Sequence, residues 1–233
     1  MLERYHKMEY RNENKYLCTE REFSIIFHRL SCIMKKDENI TIENGYNIRS
    51  IYFDNYSSDF FFQNDAGLNE RIKVRIRIYN KNKDVIKLEI KSKKNGLINK
   101  VGCKISENIF MKILNGSISM SDCDNNILKK VYILIKTQYL KPKIIVEYER
   151  YVFINKNGNV RITFDRNIRA SKKIERFFED NIYAIPLQEL NHHLLEVKYD
   201  EFLPDYISNA LELNNLELTT FSKYYLSIMN CFM

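Results

Sequence analysis

The sequence predicts an α+β fold built on antiparallel strands that close into a barrel, with flanking helices and a C-terminal helix. Three observations lead there. Segments such as ERIKVRIRIY alternate charged and aliphatic residues with the period of two that marks a strand. The alternation recurs in strands far along the chain. Stretches of helical spacing stand between and after these strands, an order that belongs to α+β proteins.

Taken in order, Tyr10 to Cys18 reads as the first strand. Thr19 can cap a helix to about Lys36, with Glu22 at the capping-box position and Phe23, Ile26, Phe27 and Leu30 at helical spacing. Tyr46 to Asp54 is a strand, followed by an aromatic turn at Phe60, Phe61 and Phe62. Arg71 to Tyr79 and Val85 to Lys93 make a hairpin over the loop Asn80 to Asp84, and a shorter strand spans Leu97 to Ile105. Helical spacing returns at Glu107 to Leu114 and Asn125 to Tyr139. Lys143 to Ile154 and Val160 to Arg166 form a second hairpin around Asn157-Gly158, and His193 to Tyr199 is another strand. Two helices, Asp205 to Leu213 and about Thr219 to Cys231, complete the order.

Composition sets the frame. The 233 residues are 45% hydrophobic and 13% aromatic, enough to bury a core, and a single domain over residues 1–233 is expected. A net charge of +7 favours anionic partners without distinguishing nucleic acid, phosphate metabolites or a membrane surface. The five cysteines are widely spaced and form no CxxC pair, which excludes an evident disulfide framework or zinc site and leads us to expect a reduced, cytoplasmic setting. The opening MLERYHKMEYRNENK has no apolar stretch of the signal-peptide kind, and no run approaches the ~20 apolar residues that span a bilayer.

The charged faces carry the chemistry. Arg71, Lys73, Arg75 and Arg77 share one side of their strand, opposite Ile72, Val74, Ile76 and Ile78. The next strand puts Lys87, Glu89 and Lys91 opposite Ile86, Leu88 and Ile90. A merely solvated face would mix Thr, Ser, Glu and Lys. Four consecutive cations repel one another unless an anion or facing carboxylates neutralise them. Elsewhere Tyr148 and Arg150 share a face, as do Arg161, Thr163 and Asp165, Glu196 and Lys198, and Glu13 and Lys15. A closed sheet with these faces inward makes a charged tunnel. Arg and Lys suit phosphate. Interleaved Glu can balance their charge or hold a hard divalent metal.

The motifs ENKYL, IRSIYFDN, KVRIRIY, LEIKSK, the YER of VEYERYVF, RITFDRNIRA, LLEVKYD and FSKYYLS occur here in that order. With them the chain, from about Tyr10 to Met229, resembles the catalytic domain of the vacuolar transporter chaperone (VTC) polyphosphate polymerases. Those lie within the triphosphate tunnel metalloenzymes, which include CYTH domains. The resemblance implies a tunnel that binds ATP, builds inorganic polyphosphate and uses Mn2+ or Mg2+. It assigns phosphate binding to Lys15, Arg75, Arg77, Lys91, Arg150 and Arg161, with Tyr148 assisting and Ser222 and Lys223 closing one end. Glu196 matches the metal carboxylate with Lys198 beside it, and Glu13 and Glu89 are secondary candidates for metal or charge balance. Lys87 shares the substrate-facing row. The text INKVGCKIS departs from the family's basic strand, so Lys100 is the better placed cation there and Lys104 the second. A partner membrane protein is one candidate to receive the product, no DNA partner is implied, and no oligomeric state follows.

Other functions share some of these features. If water rather than a phosphate-chain end attacks, the same tunnel is a triphosphatase. A basic sheet could bind RNA, but RNA-binding sheets show aromatics on the cationic face, and here the interleaved positions are aliphatic. A silent polyphosphate or inositol-phosphate sensor would not need Glu196, Lys91 and the paired arginines together. His192 and His193 are adjacent on a strand and so face opposite ways, which argues against a metal pair. Phe60 to Phe62 read as core or lid, one of Tyr224 and Tyr225 as packed, and Cys103 and Cys123 as ordinary buried or half-buried thiols.

Overall fold

The computed structural model describes residues 12–37, 45–95 and 97–233, so Tyr10 and Arg11 of the expected first strand lie outside it. In chain order the elements are β1 (Asn12–Thr19), α1 (Glu20–Ile33), β2 (Lys35–Lys36), β3 (Tyr46–Asp54), α2 (Asp59–Asp65), β4 (Arg71–Tyr79), β5 (Asn82–Lys94) and β6 (Leu97–Ile105). Then come α3 (Glu107–Leu114), α4 (Asn126–Gln138), β7 (Lys141–Asn155), β8 (Val160–Ser171), β9 (Ile185–Pro186), β10 (His192–Tyr199), α5 (Asp205–Leu211), β11 (Glu217–Leu218) and α6 (Lys223–Phe232).

The α+β class holds, with one large antiparallel sheet, but the barrel does not. Hydrogen-bonded neighbours run β11-β1-β10-β8-β7-β3-β4-β5-β6, with β2 on β7 and β9 on β8. This path has two ends, and among the described residues no pair joins β6 to β11. Alternation in a strand reports which side chains share a face. It carries no signal about whether distant edge strands meet, and closure was read from it wrongly.

Local chemistry explains the other departures. α1 has the expected capping box, with the Glu22 N–H on Thr19 Oγ1 at 3.3 Å and Thr19 N–H on Glu22 Oε2 at 2.8 Å. It stops at Ile33 because Met34 turns extended and Lys35 and Lys36 pair with Ile154 and Phe153. The aromatic turn at Phe60 to Phe62 is a short helix, nucleated by the buried Asp54 carboxylate, which accepts the N–H groups of Phe60 (3.0 Å) and Phe61 (3.1 Å). β8 runs on to Ser171, α5 ends at Leu211, and the last helix starts only at Lys223 with Ser222 as its cap. The hairpin loop tightens to Asn80 and Lys81, both left-handed (φ 50° and 58°), the two-residue turn whose twist matches the strands.

The chain divides into two compact units. Of the described residues the first takes 12–37, 45, 150–166 and 189–221, and the second takes 46–95, 97–149, 167–188 and 222–233. In the first, α1 packs on one face of the strands through Phe23, Ile26 and Leu30, burying Tyr16, Cys18, Tyr151, Phe153, Ile162, Phe164, Leu195 and Val197. Ile207 and Leu211 of α5 join that core. In the second, Val74, Ile76 and Ile78 of β4 and Leu88 of β5 are fully buried. Phe110 of α3 stacks on Phe177 with ring centroids 5.4 Å apart. Each core thus occupies the aliphatic side of its strands, leaving the charged side for other work. Among the described residues no helix is long and apolar enough to cross a membrane.

Candidate functional site

In the second unit the strand register sets charged side chains in rows across β3–β6. Tyr52, Arg75, Glu89 and Gly102 are successive cross-strand neighbours, as are Ser50, Arg77, Lys87 and Lys104. Lys73, Lys91 and Lys100 make a third row. Glu89 ties the rows together. Arg75 Nε donates to its Oε2 at 2.7 Å and Lys100 Nζ to its Oε1 at 2.6 Å. Burial alone would push this carboxyl up, but Arg75, Arg77 and Lys100 outweigh it and hold it at about 2. Its place opposite Gly102 matters, since a Cβ there would stand 3.3 Å from Glu89 Cγ and 3.1 Å from the Leu88 carbonyl oxygen. Burial opposes the charge of Arg75 as well, and Tyr52, Glu89 and Tyr148 more than restore it.

Arg77 is nearly buried and donates to Ser50 Oγ (3.1 Å) and Tyr148 Oη (3.0 Å). The start of α6 meets the same group. Lys73 Nζ donates to Ser222 Oγ at 3.0 Å, and Lys223 Nζ lies 4.7 Å from the centre of the Tyr148 ring. Two tyrosines dock this helix: Tyr224 is buried and donates to Asp54, and Tyr225 stacks on Phe61 at 5.1 Å with ring planes 3° apart. The second unit therefore brings together Arg75, Arg77, Lys91, Lys100, Lys87, Tyr148, Ser222 and Lys223, with Glu89 among them.

The first unit carries a second charged set. Lys15, Glu196 and Thr163 are neighbours across β1, β10 and β8, and so are Glu13, Lys198 and Arg161. Lys198 Nζ lies 3.1 Å from Glu196 and 3.4 Å from Glu13, and Lys15 Nζ lies 3.4 Å from Glu13 and 3.1 Å from the Phe221 carbonyl oxygen. Arg150 makes a two-pronged pair with buried Asp165 (2.6 and 2.7 Å) and stands 3.9 Å from Glu196. Arg161 is 3.6 Å from Asp37. Glu196 is nearly buried, which favours its neutral form, yet Lys198, a hydrogen bond with Glu13, Arg150 and Lys15 hold its carboxyl well below the usual range.

Residue reasoning missed Tyr52, Asp54 and Asp165 as members of these groups. Asp165 had been seen to share a face with Arg161, but its pairing with Arg150 crosses strands and leaves no trace in spacing. His193 is buried with Nε2 2.7 Å from Glu20, whose carboxylate also takes Arg166, so it is tied to the start of α1. Among the described residues no three or more His, Cys, Asp or Glu form a cluster able to hold a metal. The ionised Glu196 with Glu13 in hydrogen-bonding reach is a two-carboxylate donor set, which fits a Mg2+-type ion that takes one or two carboxylates and completes its shell with phosphate and water. Cations also stand near both oxygens of Glu196 and of Glu13, but at 3.1–3.9 Å, whereas those on Glu89 lie at 2.7 and 2.6 Å, as befits a balancing charge.

No curated protein matches this sequence. Two solved structures share the fold: a candidate adenylate cyclase of Bacillus halodurans (15% identity, TM-score 0.56, covering 97% of this chain and 98% of that one) and the candidate adenylyl cyclase HpAC1 of Hippeastrum (13%, 0.54, 95% and 98%). The latter structure is described as revealing a dominant triphosphatase activity. Residues 10–232 match the model of the VTC domain, a span that contains all of the motifs, and the chain belongs to the VTC domain family.

Proposed function

We propose that the chain acts as a polyphosphate polymerase, transferring the terminal phosphoryl group of ATP onto a growing inorganic polyphosphate chain with a divalent metal, Mn2+ or Mg2+. The observation that carries this reading is the imbalance on one face of β4–β6. There the register places Lys73, Arg75, Arg77, Lys87, Lys91 and Lys100 on the same face as Glu89, which pairs with Arg75 and Lys100. Strands ~5 Å apart set such cations at intervals that suit a polyanion with charge on every phosphate.

Arg75, Arg77, Lys91, Lys100, Arg150, Arg161 and Lys223 are the proposed phosphate-gripping groups, with Lys15, Lys87, Lys198, Tyr148 and Ser222 positioning substrate. Fixed before substrate arrives by partners such as Glu89 and Asp165, these donors stabilise charge on the phosphoryl oxygens without reorganising. Glu196 and Glu13 would hold the metal, which when bound supplies further charge neutralisation. Alignment of an attacking phosphate-chain end with the terminal phosphoryl of ATP then releases ADP, with no covalent enzyme intermediate. Attack by water makes the chain a triphosphatase, and the fold shared with HpAC1 favours that as the second reading.

The test is incubation with ATP and Mn2+ or Mg2+, with the products resolved by size. Phosphate chains support the polymerase, and free phosphate alone transfers the assignment to the triphosphatase. Arg75→Ala and Glu196→Gln should each lower turnover by about 10²-fold or more. Unchanged turnover in both removes these residues from the site.

A further inference from the structure

Tyr52 stands in the row of Arg75 and Glu89. Arg75 Nη1 donates to its phenolic oxygen at 3.2 Å, and the Arg75 guanidinium lies 5.9 Å from its ring centre. Its ring stacks on Tyr224 at 5.3 Å, which fixes its plane. Among the described residues no acceptor takes the Tyr52 hydroxyl proton. An oxygen that receives a hydrogen bond from a guanidinium is a stronger donor through its own O–H.

Resting on the phosphate-binding reading above, we propose that Tyr52 is a further phosphate-gripping residue, its O–H donating to an oxygen of the bound triphosphate beside Arg75. Among the described residues the charged and titratable groups acting on it are Arg75 and Arg77 of β4 and Lys223 of α6, with the Tyr224 ring stacked on it and Glu89 of β5 and Tyr148 of β7 beside Arg75. Burial raises the phenol, but Arg75, Arg77 and Lys223 outweigh it and lower its pKa to about 8. The grip is thus present below that value. Above it the donor is lost and a negative charge takes its place, so triphosphate and alkali compete at this oxygen.

The experiment is calorimetric titration of the full chain with inorganic tripolyphosphate, metal-free, at about pH 7 and about pH 9.5, for wild type and Tyr52→Phe. Wild-type affinity should fall about tenfold more across this range than that of Tyr52→Phe, which starts weaker and lacks the phenolate step. Ionisation of the ligand and of the lysines is common to both proteins and cancels. Wild type also gives a readout without the variant. Tripolyphosphate added at about pH 8.5 should reduce phenolate absorbance, because the bound anion restores the Tyr52 proton. Parallel pH profiles, or absorbance that ignores the ligand while binding persists, overturn the role of Tyr52 alone. Failure of wild type to bind tripolyphosphate at about pH 7 overturns the phosphate-binding reading and Tyr52 with it.

Discussion

Glu89 is the residue on which the cationic face of the second unit balances. In the absence of substrate it is the carboxylate between Arg75 and Lys100, and Arg77 adds to the field on it. Glu89→Gln keeps the shape and removes the charge, leaving the cations to repel one another. The variant should lose about 1–3 kcal/mol in denaturant unfolding, a modest figure because Lys100 is half exposed. Tripolyphosphate should raise the melting temperature of Glu89→Gln by more than it raises that of wild type, because the anion replaces the missing charge. An equal rise in both would separate Glu89 from the substrate face. Arg49 shows the limit of reading charge from sequence. It stands on the aliphatic side of β3, fully buried, paired with Glu147 and donating to the carbonyl oxygens of Phe177 (2.8 Å) and Glu179 (2.5 Å). A cation in a strand reads as facing the substrate, and only the distant Glu147 and a returning loop make it a structural anchor.

At the scale of elements, the hairpins were legible because their turn residues are local. Asn80-Lys81 adopts the turn that Asn-Gly favours, and Lys81 carries a left-handed φ of 58° that costs a side chain energy. Lys81→Gly should therefore stabilise the fold by about 0.5–1 kcal/mol in denaturant unfolding. Gly158 is the opposite case. Its φ is 69°, and a Cβ would stand 2.4 Å from the Phe202 carbonyl oxygen, so Gly158→Ala should cost about 1–3 kcal/mol in the same measurement. α2 was not legible. Its helix starts on the carboxylate of Asp54, the last residue of β3. Extended and helical readings of Phe60-Phe61-Phe62 are equal until that carboxylate is placed. The candidate site was legible wherever alternate strand positions carry charge. Tyr52, Asp54 and Asp165 were not, because each is defined by a partner on another strand or helix.

At the scale of the whole molecule, pH acts through buried groups, among them His193, Glu89 and Glu147. His193 is pushed below the ordinary histidine value of 6.5, chiefly by burial and also by Arg166, against the pull of Glu20. The unfolded chain therefore binds that proton first, and the contribution of His193, full above about 6.5, declines as pH falls below it. Glu89 sits at about 2 against the ordinary glutamate value of 4.5, so its contribution is full above 4.5 and is lost between there and 2. Burial raises the carboxyl of Glu147, and Arg169 and Arg49 more than reverse this, placing its loss below 4.5 as well. Melting temperature should decline gently below about pH 6.5 and steeply below about pH 4.5, read by calorimetry. Removing the charge with Glu89→Gln should flatten the steep limb.

The open end of the strand order gives the cations of β6 a second duty. A terminal strand exposes a row of backbone donors and acceptors that any extended segment of another chain can complete. Lys100 and Lys104 are exposed along that strand, and mutual repulsion of their charges keeps two such edges from zipping together. A polyanion that neutralises this strand lifts the repulsion, so a chain saturated with long phosphate polymer loses part of its own protection against aggregation.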